Sequence, residues 1–219
     1  MSAVDGERFV EALLGEMRAL FDRLGERETL ESESGGRVDI PTLLRLALKS
    51  EVEAAEIAGL WMPSTPELDV KSAFACQAGD EMKHYELICR RLEELGESRE
   101  ELEAEHSALY SYLTTLQTSV ERVAAGPFAR EAIAEVRNAQ FIELCLANGD
   151  RTTADLYLEV IQPEERHHHE LGCRLLGKYA VTAELQGLAR DAMRSSLAIA
   201  DELRTLTEKS TGLQGVLVS

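Results

Sequence analysis

Sliding the chain against itself by 84 residues superimposes Glu-Met-Lys-His-Tyr-Glu-Leu-Ile-Cys-Arg-Arg-Leu (81–92) on Glu-Arg-His-His-His-Glu-Leu-Gly-Cys-Arg-Leu-Leu (165–176), with seven of twelve positions identical. The same offset carries Glu51 onto Glu135, and the Pro63–Pro66 turn onto the Ala147–Asp150 turn, although neither match sets the register. A helical hairpin has one apolar face and cannot bury it alone. Two copies of a hairpin solve the problem by packing on each other as a four-helix bundle.

The repeated residues carry chemistry. Each copy holds Glu-x-x-His on a helix, Glu81 with His84 and Glu165 with His168. Residues three apart lie on one helical face, about 5–6 Å between Cβ atoms, so a carboxylate oxygen and an imidazole nitrogen can reach one metal ion. Each copy also has a Glu on the preceding helix, Glu51 or Glu135, 30 residues upstream. Equal residue counts on either side of a turn put residues at equal height in an antiparallel hairpin. Glu51 therefore faces Glu81 and His84, and Glu135 faces Glu165 and His168.

A single Glu-x-x-His is common in an acidic helical chain. Four carboxylates on inward faces are costly unless paired or metal-bound, and the duplication makes the metal reading the stronger. Glu53, Glu56 and Glu143 compete for the same role, but only Glu51 and Glu135 satisfy both the repeat and the height rule. Of the three consecutive histidines the repeat selects His168. His167 projects outward, and His169 pairs with Glu165 one turn away. Six donors of mixed oxygen and nitrogen character, without thiolate, suit two divalent ions and favour iron or manganese over structural zinc.

Nearly all of the chain reads as helix, because Glu, Ala, Leu and Arg dominate and β-branched alternation is scarce. An amphipathic helix spans about 7–30, and Asp39 with Pro41 opens a second that runs to Met62. Thr65 and Pro66 start the next, which stops at Gly96. Ser98 and Glu101 have capping-box spacing and open a crossover helix that ends near Gly126-Pro127. Further helices follow at 127–147, at 150–177 and at 182–207. With no linker long enough to divide the chain, residues 1–219 read as a single domain with its core at about 41–178. Gly79 and Pro163 each stand two residues before a ligand Glu, and both weaken a helix interior, so a kink or π-bulge is expected before each motif. Phe74, Phe128, Phe141, Tyr157 and Trp61 take core packing as their default.

This pattern resembles the ferritin-like di-iron carboxylate superfamily: Glu, Glu-x-x-His, Glu, Glu-x-x-His on four helices joined by a crossover. The resemblance implies an all-α, ferritin-like four-helix bundle with extra N-terminal, crossover and C-terminal helices. It implies a centre of two iron ions, with manganese or a mixed pair as variants. By the same resemblance Asp80 orients His168, and Glu164 orients His84, across the bundle. Lys83 matches the basic residue often found within the motif. Arg166 stands one position early.

Function follows less directly. Two ferrous ions suit reductive activation of O2, which the superfamily uses for substrate oxidation, peroxide reduction and iron storage. The four cysteines are scattered, so the four-cysteine electron-transfer module of a rubrerythrin-like peroxidase is missing. The extra helices obstruct cage contacts of a ferritin. Acidic residues outnumber basic ones 40 to 23, and a net charge of −17 argues against a nucleic-acid partner. The expectation is an oxidase or oxygenase that uses O2 on a small-molecule substrate and draws on a separate electron donor. Iron storage with ferroxidase activity, or peroxide detoxification, is the alternative. No apolar run approaches the ~18 residues of a membrane span, and the N-terminus lacks signal-peptide character, so a cytoplasmic protein without membrane contact is expected. The outer helices could serve a homodimer or fold back onto the bundle.

Overall fold

The computed structural model describes residues 5–24, 39–97 and 105–210. Among them there are helices and connections and no strand. Helix α1 spans Gly6–Leu24, α2 Ile40–Trp61 and α3 Leu68–Glu94. After a short α4 (Ala108–Leu113) the chain enters a long rod. That rod comprises α5 (Ser119–Val123), a π-helical segment (Ala124–Arg130) and α6 (Glu131–Ala147). A second rod follows, comprising α7 (Arg151–Leu156), a second π segment (Tyr157–Ile161) and α8 (Gln162–Tyr179). Helix α9 (Ala183–Ser210) closes the order.

Local chemistry accounts for most boundaries. The Asp39 side chain accepts from the Thr42 N–H at 2.9 Å, with Pro41 in the first turn of α2. Gly96 ends α3 with a φ of 81°, the left-handed conformation that glycine adopts without strain. Thr118 and Glu121 form a reciprocal capping box at the start of the first rod. Asp150 caps α7 through the Thr153 N–H at 3.0 Å.

Several expectations are corrected. The start of α3 falls at Leu68 after Glu67, and the Thr65 hydroxyl instead donates to the Trp61 carbonyl. Ser98–Glu101 lie outside the described residues. Residues 105–107 are not helical, so the crossover helix is the short α4. Gly126 and Pro127 do not separate two helices, because a π segment carries the rod through them. Proline removes one N–H and clashes with the preceding turn, and the wider π turn accommodates both. The second π segment ends just before Pro163, as the kink argument anticipated, whereas α3 stays α-helical through Gly79. Glycine permits distortion without compelling it.

Helices α2 and α3 pack as one hairpin, and the two rods form the other. Their buried residues divide into two apolar cores. One holds Leu44, Leu48, Ile88, Leu92, Phe141 and Ile161 near the α6–α7 turn. The other holds Ile57, Trp61, Phe74, Phe128, Ile133 and Leu176 at the opposite end. Helices α1 and α9 fold back on this second core with Leu13, Met17, Ala189 and Met193. Along each bundle helix the sequence crosses from one core to the other through a polar waist. No described helix is long and apolar enough to cross a membrane.

Candidate metal centre

The waist is made of charge. Glu51 on α2, Glu81 and His84 on α3, Glu131 on α6, and Glu165 and His168 on α8 are all at most 7% exposed. Their ligating atoms fall into two sets, each with members within 4.8 Å of one another: Glu51, Glu81, His84 and Glu165, and Glu81, Glu131, Glu165 and His168. Glu81 and Glu165 belong to both. Two ion positions with two shared carboxylates is the arrangement this describes.

The imidazoles are aimed. His84 Nε2 lies 2.8 Å from Glu164 Oε2, and His168 Nε2 lies 3.1 Å from Asp80 Oδ2. A carboxylate partner accepts an N–H, so each ring carries a proton on Nε2 and turns Nδ1 inward. His84 Nδ1 sits 3.4 Å from Glu51 Oε2, 3.5 Å from Glu81 Oε2 and 3.5 Å from Glu165 Oε1. His168 Nδ1 is 3.8 Å from Glu165 Oε2. Donors held about 2.0–2.2 Å from one ion stand about 3.0–3.6 Å apart, so the three spacings at His84 match the edges of a coordination polyhedron.

Six inward atoms, Glu51 Oε2, Glu81 Oε2, His84 Nδ1, Glu131 Oε2, Glu165 Oε2 and His168 Nδ1, are buried with no hydrogen-bond partner. A buried unsatisfied polar atom costs about 1–3 kcal/mol, more for a charged group. One such atom from each of the six residues, converging on one waist, is a donor set that fits two divalent cations. Charge crowding shows in the protonation of the pocket. Burial and the neighbouring Glu81 push Glu51 up to about 8. Burial, with the charges of Glu81 and Glu131, drives Glu165 well above the carboxylate range. Burial opposes ionisation of Glu81 too, but His84 and Arg130 overcome it and hold that carboxyl low. Burial disfavours His84 charging, yet the Glu51 and Glu81 carboxylates beside Nδ1 push it up to about 10.

Of the residues expected at the site, Glu51, Glu81, His84, Glu165 and His168 come together, with Asp80 and Glu164 behind the histidines. Glu135 does not join them. It is half-buried one turn further along, in an ion pair with Arg166 Nε at 2.9 Å, which also gives Arg166 its place. Glu131 takes the inward position. Starting a helix at Pro127 would put Glu131 in a first turn at the bundle's end. The continuous rod instead sets it mid-helix at the waist. Counting from the turn also presumes equal turns, whereas the connections span 62–67 in one hairpin and only 148–150 in the other. Glu131 and Glu135 lie on nearly the same face, about 6 Å apart along the axis, so such a difference decides between them.

Two further residues went unread. Arg130 Nη1 donates to Glu131 Oε1 at 2.7 Å and reaches Glu81 Oε1 at 3.5 Å, while Nη2 donates to the carbonyl and hydroxyl of Ser50. Gln77 Nε2 donates to Glu131 Oε1 at 2.6 Å. Gln77 precedes Glu81 by one turn, and that spacing is the signal that could have found it. His169 is directed away, with Nδ1 donating to the Phe128 carbonyl at 2.7 Å rather than pairing with Glu165. Lys83 bonds Glu164 at 2.5 Å and so steadies the partner of His84.

A family model described as a ferritin-like domain matches residues 62–176, which is 115 of the 219 residues. The match contains every residue of the waist except Glu51. No curated protein matches the chain. Among solved structures, a TenA homologue from Pyrococcus furiosus is similar with a TM-score of 0.64 and 15% sequence identity, over 91% of this chain and 99% of that one. At that identity the likeness concerns the helical fold alone.

Proposed function

The chain belongs to the ferritin-like domain family, and from that premise we propose that its waist holds two iron ions and activates O2 to oxidise a small organic substrate. The observation that carries this reading is the convergence of six buried, unpartnered donor atoms in two sets that share Glu81 and Glu165. Glu51 with His84, and Glu131 with His168, would be the terminal ligands of the two positions. Carboxylate and imidazole donors accept manganese as well, alone or beside iron. When bound, such a pair supplies reducing equivalents to O2, and a separate electron donor restores them.

The chain's own residues do the rest. Glu164 and Asp80 hold each imidazole in the Nε2–H tautomer and in a fixed orientation. Lys83 keeps Glu164 ionised for that task. Arg130 and Gln77 hold Glu131 by its Oε1 and leave Oε2 free to face inward. Leu43, Ala47, Phe141 and Tyr157 wall a cavity that reaches Glu51 and Glu165, so a substrate can approach one flank of the centre.

The test is anaerobic loading with Fe(II), followed by exposure to O2 at an oxygen electrode. Rapid O2 consumption at about two irons per chain is expected, and Glu81→Ala should lose at least one metal equivalent together with that consumption. Iron accumulating far above two per chain would replace this reading with storage. Full metal content and O2 reactivity in Glu81→Ala would contradict it.

A further inference from the structure

An inner cavity of 160 Å³ flanks the waist, walled by Leu43, Ala47, Phe141 and Tyr157 and reaching Glu51 and Glu165. An outer cavity of 260 Å³ lies under α4, and Leu46, Ser50, Arg130 and Arg137 line both, so the inner one opens outward through it. The charges along this route cancel. Lys49, Arg130 and Arg137 stand against Glu51, Glu53 and Glu165. They are also engaged: Arg130 with Glu131 and Ser50, Glu53 with the Ser107 N–H and hydroxyl, and Lys49 and Arg137 with partners of their own. Glu51 and Glu165 give their donor atoms to the waist. Tyr157 differs. It is uncharged and 2% exposed, and its buried hydroxyl has no hydrogen-bond partner, whereas Ser50 is exposed and Asn138 half-buried. Its ring is held edge-on against Phe141 at 4.8 Å, and it opens the second π segment, a helix widening frequent at functional sites.

We propose that the inner cavity binds an uncharged organic molecule with a compact apolar body and one hydrogen-bond-accepting oxygen, which the Tyr157 hydroxyl holds. The inference gives the class of substrate for a centre that oxidises a small organic molecule, and it rests on that reading. Size sets the body. An apolar cavity of about 150 Å³ takes a benzene ring, so the inner cavity takes a ring or chain of about six carbons. Charge balance sets the class. An ionic head group would shed its water against a wall whose charges are already matched, and nothing there repays its desolvation. Tyr157 sets the polar contact. A phenol donates its O–H, a buried hydroxyl without a partner is costly, and an acceptor seated on it removes that cost. With its oxygen there, the ligand lays its carbon skeleton along Leu43, Ala47 and Phe141, beside Glu51 and Glu165. Apolar walls with a few placed polar groups are the usual make-up of a small-molecule site.

The experiment is NMR chemical-shift titration of cyclohexanone, cyclohexene, cyclohexylammonium and cyclohexanecarboxylate into the full chain, loaded with redox-inert Zn(II) and also metal-free, with metal counted in each sample. Cyclohexanone should bind at least about tenfold more tightly than either ion. Tyr157→Phe should weaken cyclohexanone about fivefold and leave cyclohexene unchanged, a difference that loss of packing alone would not produce. Ala47→Phe should abolish binding of both with metal content unchanged. Either ion binding as tightly as the ketone, or a Tyr157→Phe variant that binds the ketone as the parent does or weakens ketone and cyclohexene equally, would overturn the proposal. Ketone binding that requires Zn(II) and ignores Tyr157 would place the oxygen on the ions and overturn it too. A chain that takes up no metal yet binds the ketone through Tyr157 would uphold the site and refute the metal reading, whereas two irons and O2 consumption without ketone binding would uphold the metal reading and refute the site.

Discussion

At the residue scale the centre is a problem of uncompensated charge, and Arg130 shows how the chain manages it. Four buried glutamates repel one another, and the guanidinium beside Glu131 and Glu81 offsets part of that cost. The surrounding carboxylates outweigh burial and reinforce the positive charge of Arg130. The same charge opposes a metal ion bound by Glu131. Arg130→Met should therefore have two effects of opposite sign. Metal-free stability should fall by about 3–5 kcal/mol, the usual consequence of removing one partner from a buried ion pair. With Gln77 still holding Glu131 Oε1, the second metal equivalent should bind at least about tenfold more tightly, since a unit and a divalent charge about 6 Å apart repel by that much even at a water-like dielectric. Thermal melts of metal-free protein and anaerobic titration with Mn(II) read the two separately. A variant with weaker second-site binding would contradict this role.

At the element scale the bundle rests on how the rods pass one another. Helix α8 crosses the first π segment at Gly172, where an added Cβ would stand 2.7 Å from the Phe128 nitrogen and 2.8 Å from the Pro127 carbonyl carbon. Both are backbone atoms of a proline-bearing segment that has little room to retreat. Gly172→Ala should cost about 1–3 kcal/mol in a denaturation midpoint, and no loss would mean the crossing is looser than this. The turn between α6 and α7 is pinned by Asp150, which caps α7 and accepts from Arg91 Nη2 at 2.8 Å. Burial raises the Asp150 pKa, but hydrogen bonds from Thr153 and the charge of Arg91 outweigh it and hold the carboxyl below its usual range. Its contribution is therefore present above the ordinary aspartate value of about 3.9 and is lost as pH falls through the lower folded value. Asp150→Ala should cost about 1 kcal/mol at pH 7 and flatten the acid side of the stability profile. A parallel loss at pH 7 and at pH 2 would contradict that account.

The elements also mark how far the sequence could be read. The crossed pairs Asp80–His168 and Glu164–His84 came from the resemblance to the superfamily, whereas helical periodicity and the duplicated motif revealed the two hairpins and the inward Glu-x-x-His pairs. Those features depend on spacing within a single helix or on exact repetition. Glu131 was hidden because its position depends on a π segment that carries the helix through Gly126 and Pro127. Local propensity reads that dipeptide as a break, whereas in the fold the segment stays helical, packed closely against Gly172 and Trp61. Arg130 and Gln77 were hidden for a related reason. They satisfy a carboxylate whose place was not yet known.

At the scale of the whole molecule, two apolar cores clamp a charged layer, with α1 and α9 thickening one of them. The cores keep the four bundle helices rigid on either side of the waist, so the donors are held in place before any ion arrives, and binding need not reorganise the fold. That account places Glu131, not Glu135, among the ligands. The most direct measurement is metal content per folded chain, by elemental analysis after anaerobic Fe(II) loading, for the parent, Glu131→Ala and Glu135→Ala. The account predicts about two ions in the parent and in Glu135→Ala, and one in Glu131→Ala. A parent without metal, or a Glu131→Ala variant that keeps both ions while Glu135→Ala loses one, would contradict it.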